Sequence, residues 1–266
     1  MARILLTNDD GIHSEGLKAL NEALQALGEV TIVAPDREMS AVSQSITLHS
    51  PLRYSQLSDH EFRVEGTPAD CVILALRTIM KTPPDLIVSG INKGANLGDD
   101  ISYSGTVAAA LEGTFNGVPS LALSLCMRSD FNFKPAAEFA ARLSEAVLTK
   151  GLPDGVLLNV NIPPNWTGTV EFTRQGKKNN KNMLLENKDP RGRKYFWLHD
   201  PPAANHGDAG TDYAAIDAGT ISITPLNINR TDYSALESLT PWQQELTEKV
   251  KTERSQWLKR LASLKI

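Results

Sequence analysis

At 266 residues the chain is long enough for one large α/β domain, or for one domain with an appendage. Hydrophobic residues at 41% and charged residues at 22% match a folded globular protein and exclude a disordered one. The net charge of −4 argues against a phosphate-backbone binder, so no nucleic-acid partner is expected and any anionic ligand must be attracted locally. The two cysteines, Cys71 and Cys126, sit in apolar stretches and read as buried thiols, with neither a disulfide framework nor zinc spacing. The opening "MARILLTNDD" is too short an apolar run for a signal peptide, and no run approaches a membrane span. A cytoplasmic protein without a membrane partner is therefore expected, and the sequons at Asn165 and Asn229 read as accidental.

The first half alternates strands and helices. "RILLT" (3–7) is a short apolar run, the pattern of a strand buried on both faces. Leu17, Leu20, Leu24 and Leu27 recur at helical spacing, and Gly28 supplies a stop. "VTIVAP" (30–35) is the next strand. "TPADCVILALRTIM" (67–80) has a Thr cap and Pro at the first helical position, then runs apolar as a helix. "PDLIVSG" (84–90) predicts a strand, "TVAAALEGTF" (106–115) a helix and "VPSLALSL" (118–125) a strand. A helix over 135–151 with a Gly stop follows, then the strand "GVLLNVNIP" (155–163). Strands separated by helices mean βαβ units, hence a mostly parallel sheet with helices on both faces.

Past residue 165 the texture changes. "TVEFTRQG", "KYFWL" and "TISITPL" are short strand candidates without helices between them. The polar, basic stretch 175–193 reads as an extended loop or hairpin. Residues 240–264 form one long helix with Trp242, Leu246, Val250, Trp257, Leu258 and Leu261 roughly on one side. The expected division is a core over 1–165 and an extension of the same domain over 166–266, used for oligomerisation.

Ligands of open parallel sheets bind beyond the carboxyl ends of the strands. Three strands here end in oxygen-bearing residues. "RILLT" ends in Asn8-Asp9-Asp10-Gly11, "VTIVAP" runs on to Ser40, and "PDLIVSG" runs into Asn92. Asp9, Asp10, Ser40 and Asn92 would make an all-oxygen, net-negative nest suited to Mg²⁺ or Mn²⁺. The cation would also neutralise two adjacent carboxylates. Alone, "NDDG" reads as a solvated turn, and it points to a metal only in combination with the other two strand tips.

The second element is "SGINKGANLGDDISYSGTVAAALEG" (89–113), a glycine-rich loop feeding a helix. Free backbone N–H groups and the positive end of the helix dipole form a natural anion site there. Ser104 and Thr106 can add hydroxyls and Asn96 an amide, although Ser104 also fits a simple helix cap. Asp99 and Asp100 read equally well as plain loop carboxylates. The Walker A pattern is absent. A cation beside an anion-binding helix end makes the two halves of a phosphate-ester hydrolase site. The metal polarises the phosphoryl oxygen and lowers the pKa of bound water, while loop donors stabilise charge on the other oxygens.

These segments, with "VAPDREMSAVSQSIT", "GTPADCV" and "GTDYAAIDAGTISITPL", resemble the SurE survival-protein nucleotidases over nearly the whole chain. The resemblance implies a Rossmann-like core and a metal-dependent phosphatase acting on nucleoside 5′- and 3′-monophosphates, in some members on short polyphosphate. It implies one divalent cation per subunit, held by Asp9, Asp10, Ser40 and Asn92, with phosphate contacts from Asn96, Ser104, Gly105 and Thr106. It further implies dimers or tetramers built by exchange of the C-terminal segment. Asp9 and Asp10 are the candidate catalytic groups, as bases toward metal-activated water or as a covalent nucleophile. His13 fits a helix cap or a leaving-group contact, and His49, His60, His199 and His206 show no partner pattern. Two rival readings are a haloacid-dehalogenase-like phosphatase and a non-catalytic metal- and nucleotide-binding regulator. The first needs a carboxylate where Asn8 stands.

Overall fold

The structure is a computed structural model that describes residues 1–127, 129, 131–178, 183–199 and 207–263. His206 and the side chains of His199 and Leu261 lie outside the described residues. The chain begins β1 (Ala2–Thr7), α1 (Glu15–Leu24), β2 (Gly28–Pro35), β3 (Tyr54–Ser58), β4 (Glu61–Val64) and α2 (Pro68–Leu74). Then come β5 (Leu86–Lys93), α3 (Gly105–Phe115), β6 (Ser120–Leu125), α4 (Lys134–Lys150), β7 (Val156–Ile162) and β8 (Val170–Phe172). It ends with β9 (Met183–Lys188), β10 (Lys194–His199), α5 (Asp212–Asp217), β11 (Ile221–Asn227), α6 (Tyr233–Leu239) and α7 (Trp242–Ser263).

One nine-stranded sheet runs in the order β3-β4-β2-β1-β5-β6-β7-β11-β8. Its centre, from β2 to β7, is parallel, as the alternation of strands and helices requires. Strand alternation sends Ile4 and Leu6 to one face and Leu5 to the other. On the first face Leu17, Leu20 and Leu24 of α1 and Ala136 and Ala140 of α4 pack on Leu6, Val88 and Leu123. On the second, Cys71 and Val72 of α2 and Ala109 of α3 cover Leu5, Val33 and Ile87. Both faces are covered, which is the Rossmann-like arrangement expected.

Helix starts follow their caps. Ser14 Oγ accepts from Leu17 N–H at the start of α1, so the cap is Ser14 and not His13. Thr67 and Asp70 form a capping box at α2 with Pro68 inside it. The helix expected over 67–80 changes after Leu74 into a π-helical segment, Ala75–Ile79.

Four further elements differ from the sequence reading. The β3–β4 hairpin was not expected, because "YSQLS" is exposed along its whole length and carries no apolar alternation. The six-residue α5 lies before β11 and corrects the reading that no helix separates the late strands; it is too short to show a period. A separate α6 precedes the long terminal helix, with Pro241 in the break. The basic stretch contributes β9, which pairs as a hairpin with β10 just beyond it. By internal packing the chain comprises two units, Met1–Ile228 and Asn229–Ile266.

Candidate active site

Strand β1 has β2 on one side and β5 on the other, so the chain order reverses between β1 and β5. Crevices in doubly wound sheets open at such a reversal, beyond the carboxyl ends of the strands. Thr7 pairs with Ser89 there, and the residues that follow both strands share one rim. Asn8 is fully buried; its Nδ2 donates to Gly11 O at 3.1 Å and to Ser14 Oγ at 2.7 Å. That bonding folds the Asn-Asp-Asp-Gly turn onto the start of α1 and leaves the two aspartates at the rim.

Asp9 is only 6% exposed. Its Oδ1 accepts a hydrogen bond from Thr106 Oγ1 at 2.6 Å, and its backbone O accepts one from Met39 N–H at 2.7 Å. Gly105 lies directly against it, since a Cβ there would sit 2.9 Å from Asp9 Cβ and 3.0 Å from Oδ2. Only glycine lets the N-terminus of α3 approach the carboxylate so closely. Burial pushes the Asp9 carboxyl up to about 6, with the charge of Asp10 adding to it and the Thr106 bond opposing it. Asp10 is less buried. Desolvation raises its pKa too, opposed by the Lys93 N–H on its Oδ2 at 3.1 Å and by the Lys93 charge. Among the described residues neither carboxylate has a Lys, Arg or His nitrogen within ion-pair distance.

Ser40 follows Met39 on an exposed loop, and its Oγ donates to Glu38 Oε1 at 2.6 Å. The same loop is anchored further on, where Thr47 donates through N–H and Oγ1 to the buried Asp70. Asn92 lies near the end of β5, beyond a register shift that begins after Ser89. Its Nδ2 donates to Gly94 O at 3.0 Å, which leaves the amide oxygen as the atom a cation would use.

The phosphate-side residues divide. Ser104 caps α3, its Oγ accepting from Val107 N–H at 3.1 Å, and the hydroxyl hydrogen remains to donate. The Thr106 hydroxyl is committed to Asp9. Asn96 is turned inward: its Nδ2 donates to Ser124 Oγ at 2.7 Å, and its N–H to Asn161 Oδ1 at 2.8 Å. Asn159 and Asn161 return donors to Asn96 O at 2.9 and 3.0 Å. The loop is thus seated on a buried polar network. Asp100 is paired with Lys178 at 2.9 Å, and His13 is exposed.

Asn159 and Asn161 are not among the sequence-derived site residues, although two asparagines at period two in an apolar run mark a polar face inside a buried strand. Lys93 and Glu38, which tune Asp10, carried no signal because their closeness depends on the sheet.

Among the described residues no three His, Cys, Asp or Glu side chains gather as a metal site. The candidate donors Asp9, Asp10, Ser40 and Asn92 are by type two carboxylates, a hydroxyl and an amide. Fold and rim together place the chain among doubly wound α/β proteins, with an acidic strand tip set against a helix N-terminus. Residues 4–182 match the family described as survival protein SurE. A 5′-nucleotidase SurE of Pelobacter propionicus is 47% identical over 243 residues, covering 90% of this chain and 98% of its own. One from Geobacter sulfurreducens is also 47% identical over 243 residues, covering 90% of this chain and 93% of its own. The crystal structure of the SurE protein from Aquifex aeolicus superposes with a TM-score of 0.83 at 41% identity, covering 91% of this chain and 99% of that one. The chain belongs to the SurE family.

Proposed function

We propose that the chain is a metal-dependent phosphomonoesterase, a 5′-nucleotidase that also takes 3′-monophosphates, releasing nucleoside and phosphate. The observation that carries this reading is the contact of the acidic strand tip with the start of α3, Thr106 Oγ1 to Asp9 Oδ1 at 2.6 Å with Gly105 beside it. A cation centre and an anion-binding helix end share one wall there. Relatives 47% identical that are named 5′-nucleotidase SurE support the same activity.

The residues present fit a hard divalent cation. Asp9 is held above its ordinary ionisation range by burial, and a cation would relieve a charge that nothing among the described side chains pairs. Asp9, Asp10, Ser40 and Asn92 would hold one Mg²⁺ or Mn²⁺ per subunit. When bound, the ion supplies charge neutralisation and polarisation of a phosphoryl oxygen. The protein's own groups do the rest. Thr106 keeps the Asp9 carboxylate in one orientation, and Asp9 or Asp10 accepts the proton of the attacking water. On the phosphate side, with Asn96 seating the loop and Thr106 holding Asp9, the Ser104 hydroxyl and the Gly105 N–H meet developing negative charge.

In this reading residues 1–165 are the catalytic core and 166–266 extend it, the C-terminal segment passing between protomers to build a dimer or tetramer. No helix among the described residues is long and apolar enough to cross a membrane, and a cytoplasmic enzyme is the reading that follows from the sequence. The haloacid-dehalogenase-like reading is not favoured, because Asn8 stands at the nucleophile position and is used to fold the turn. Phosphate release from AMP, measured with Mn²⁺ and again with EDTA, tests the proposal. Release that needs the cation supports it. Cation and nucleotide binding without release would make the chain a regulator instead.

A further inference from the structure

Asp212 takes no part in the acidic tip, yet it is fully buried. A buried carboxylate is costly unless its oxygens are satisfied. Asp212 is satisfied by backbone amides. Its Oδ2 accepts from Gly98 N–H at 2.8 Å, and its Oδ1 accepts from Gly176 N–H at 2.8 Å and Tyr213 N–H at 2.9 Å. The neighbouring groups converge on the same place. Tyr213 Oη donates to Leu97 O at 3.3 Å, and Gln175 Nε2 donates to Gly98 O at 2.9 Å. The fit leaves no slack, since a Cβ on Gly98 would lie 2.5 Å from the Tyr213 ring.

What Asp212 grips is the loop between the two halves of the site. The loop leaves Asn92 on β5 and is seated at Asn96 by the asparagines of β7. At Gly98 it enters the 3₁₀ turn Gly98–Tyr103, which ends on Ser104, the cap of α3. Without Asp212 the segment from Gly98 to Ser104 would lose the carboxylate that holds its first N–H, and would keep the Asp100–Lys178 ion pair further along. A carboxylate is a poor means of adding stability at such depth. Its two oxygens do hold two backbone segments at a fixed separation through charge-assisted bonds.

We infer that Asp212 is a positioning residue, a tether that fixes the glycine-rich loop so that the donors at the start of α3 meet the phosphate. This rests on the nucleotidase reading above. A misplacement of about 1 Å in such donors costs on the order of 10²-fold in rate.

The test is Asp212→Asn, which keeps the size and replaces one acceptor oxygen by an NH₂ that faces a backbone N–H. We expect a cooperative melt and a Mn²⁺-induced rise in Tm like that of wild type, because Asp9, Asp10, Ser40 and Asn92 are untouched. The kcat for AMP should fall at least about tenfold, with a parallel weakening of inorganic phosphate binding in calorimetry. A lower Tm with wild-type kcat per folded molecule and wild-type phosphate affinity would show a purely structural residue and overturn the inference. Should Asp212→Asn not fold, Gln175→Ala and Tyr213→Phe each remove one bond to the same loop. Reduced kcat in both with the Mn²⁺ response intact supports the tether, and wild-type kcat in both overturns it. AMP turnover by the wild-type protein tests the nucleotidase reading separately. If that fails, the phosphate titration still decides the tether.

Discussion

Replacing Asp9 by Asn keeps the shape of the side chain and an oxygen for the Thr106 hydroxyl, removes the charge and exchanges the other acceptor oxygen for an NH₂. In the cation-free protein that charge is a burden. Burial raises the carboxyl from 3.8 to about 6, so between these values the folded state holds a proton that the unfolded chain has released. The sign follows directly. Below about pH 4 both states are protonated, and the aspartate and the asparagine are equivalent. As pH rises through 6 the wild-type protein loses stability relative to the variant, and the loss levels off above it. About two pKa units correspond to about 3 kcal/mol, and the group is too buried for solvent to screen much of it. At about 2–4 °C per kcal/mol for a chain near this size, EDTA-treated Asp9→Asn should melt about 6–12 °C above EDTA-treated wild type at pH 8. The gap should close toward pH 4. With Mn²⁺ the order changes: wild type rises while the variant does not respond and releases no phosphate from AMP. Differential scanning fluorimetry at matched protein concentration, across pH 4–8 with and without Mn²⁺, gives all these values. A variant that melts at or below wild type at pH 8 without metal would refute the account of Asp9 as an uncompensated buried charge.

Other consequences are testable in the same assays. EDTA should abolish turnover, and added Mg²⁺ or Mn²⁺ should restore it; turnover surviving chelation removes the metal from the reaction. Thr106→Val, which frees Asp9 Oδ1 of its donor, should lower kcat more than stability, and equal kcat would show that the bond does not matter to catalysis. Ser104→Ala removes a cap and a phosphate donor together, so about 1 kcal/mol of stability and about 10²–10³ in rate should go; a loss of stability alone leaves Ser104 as a cap only. A chain ending at Ile228 keeps every proposed ligand but lacks α6 and α7, whose Leu236, Leu239, Trp242, Leu246 and Val250 line an apolar groove. Light scattering should find it in smaller species with a lower Tm, and an unchanged oligomer would place the contact elsewhere.

Much of the central sheet and its helices was legible because their signals are local. Apolar runs such as "RILLT" and "VTIVAP" mark strands buried on both faces, and Leu17, Leu20 and Leu24 mark a helix by period alone. Asp9, Asp10 and Asn92 could be brought together in thought because parallel strands carry their carboxyl ends to one rim, and the structure has β1 beside β5. Where burial is absent or an element is very short, the signal fades. The exposed β3 and the short α5 have too few patterned residues to announce themselves.

What only the tertiary structure decided is which polar side chain serves which partner. In sequence, Thr106 and Asn96 look like equivalent phosphate donors. In the fold, Thr106 holds Asp9, while Asn96 is bound by Ser124, Asn159 and Asn161. Nothing in the sequence ties Asp212 to Gly98, 114 residues away, until the fold brings the two together. Periodicity encodes which face of an element is apolar, since every residue of that face meets the same environment. A hydrogen bond joins two individual atoms, so a partner far along the chain leaves no repeating mark and is settled only when the elements pack.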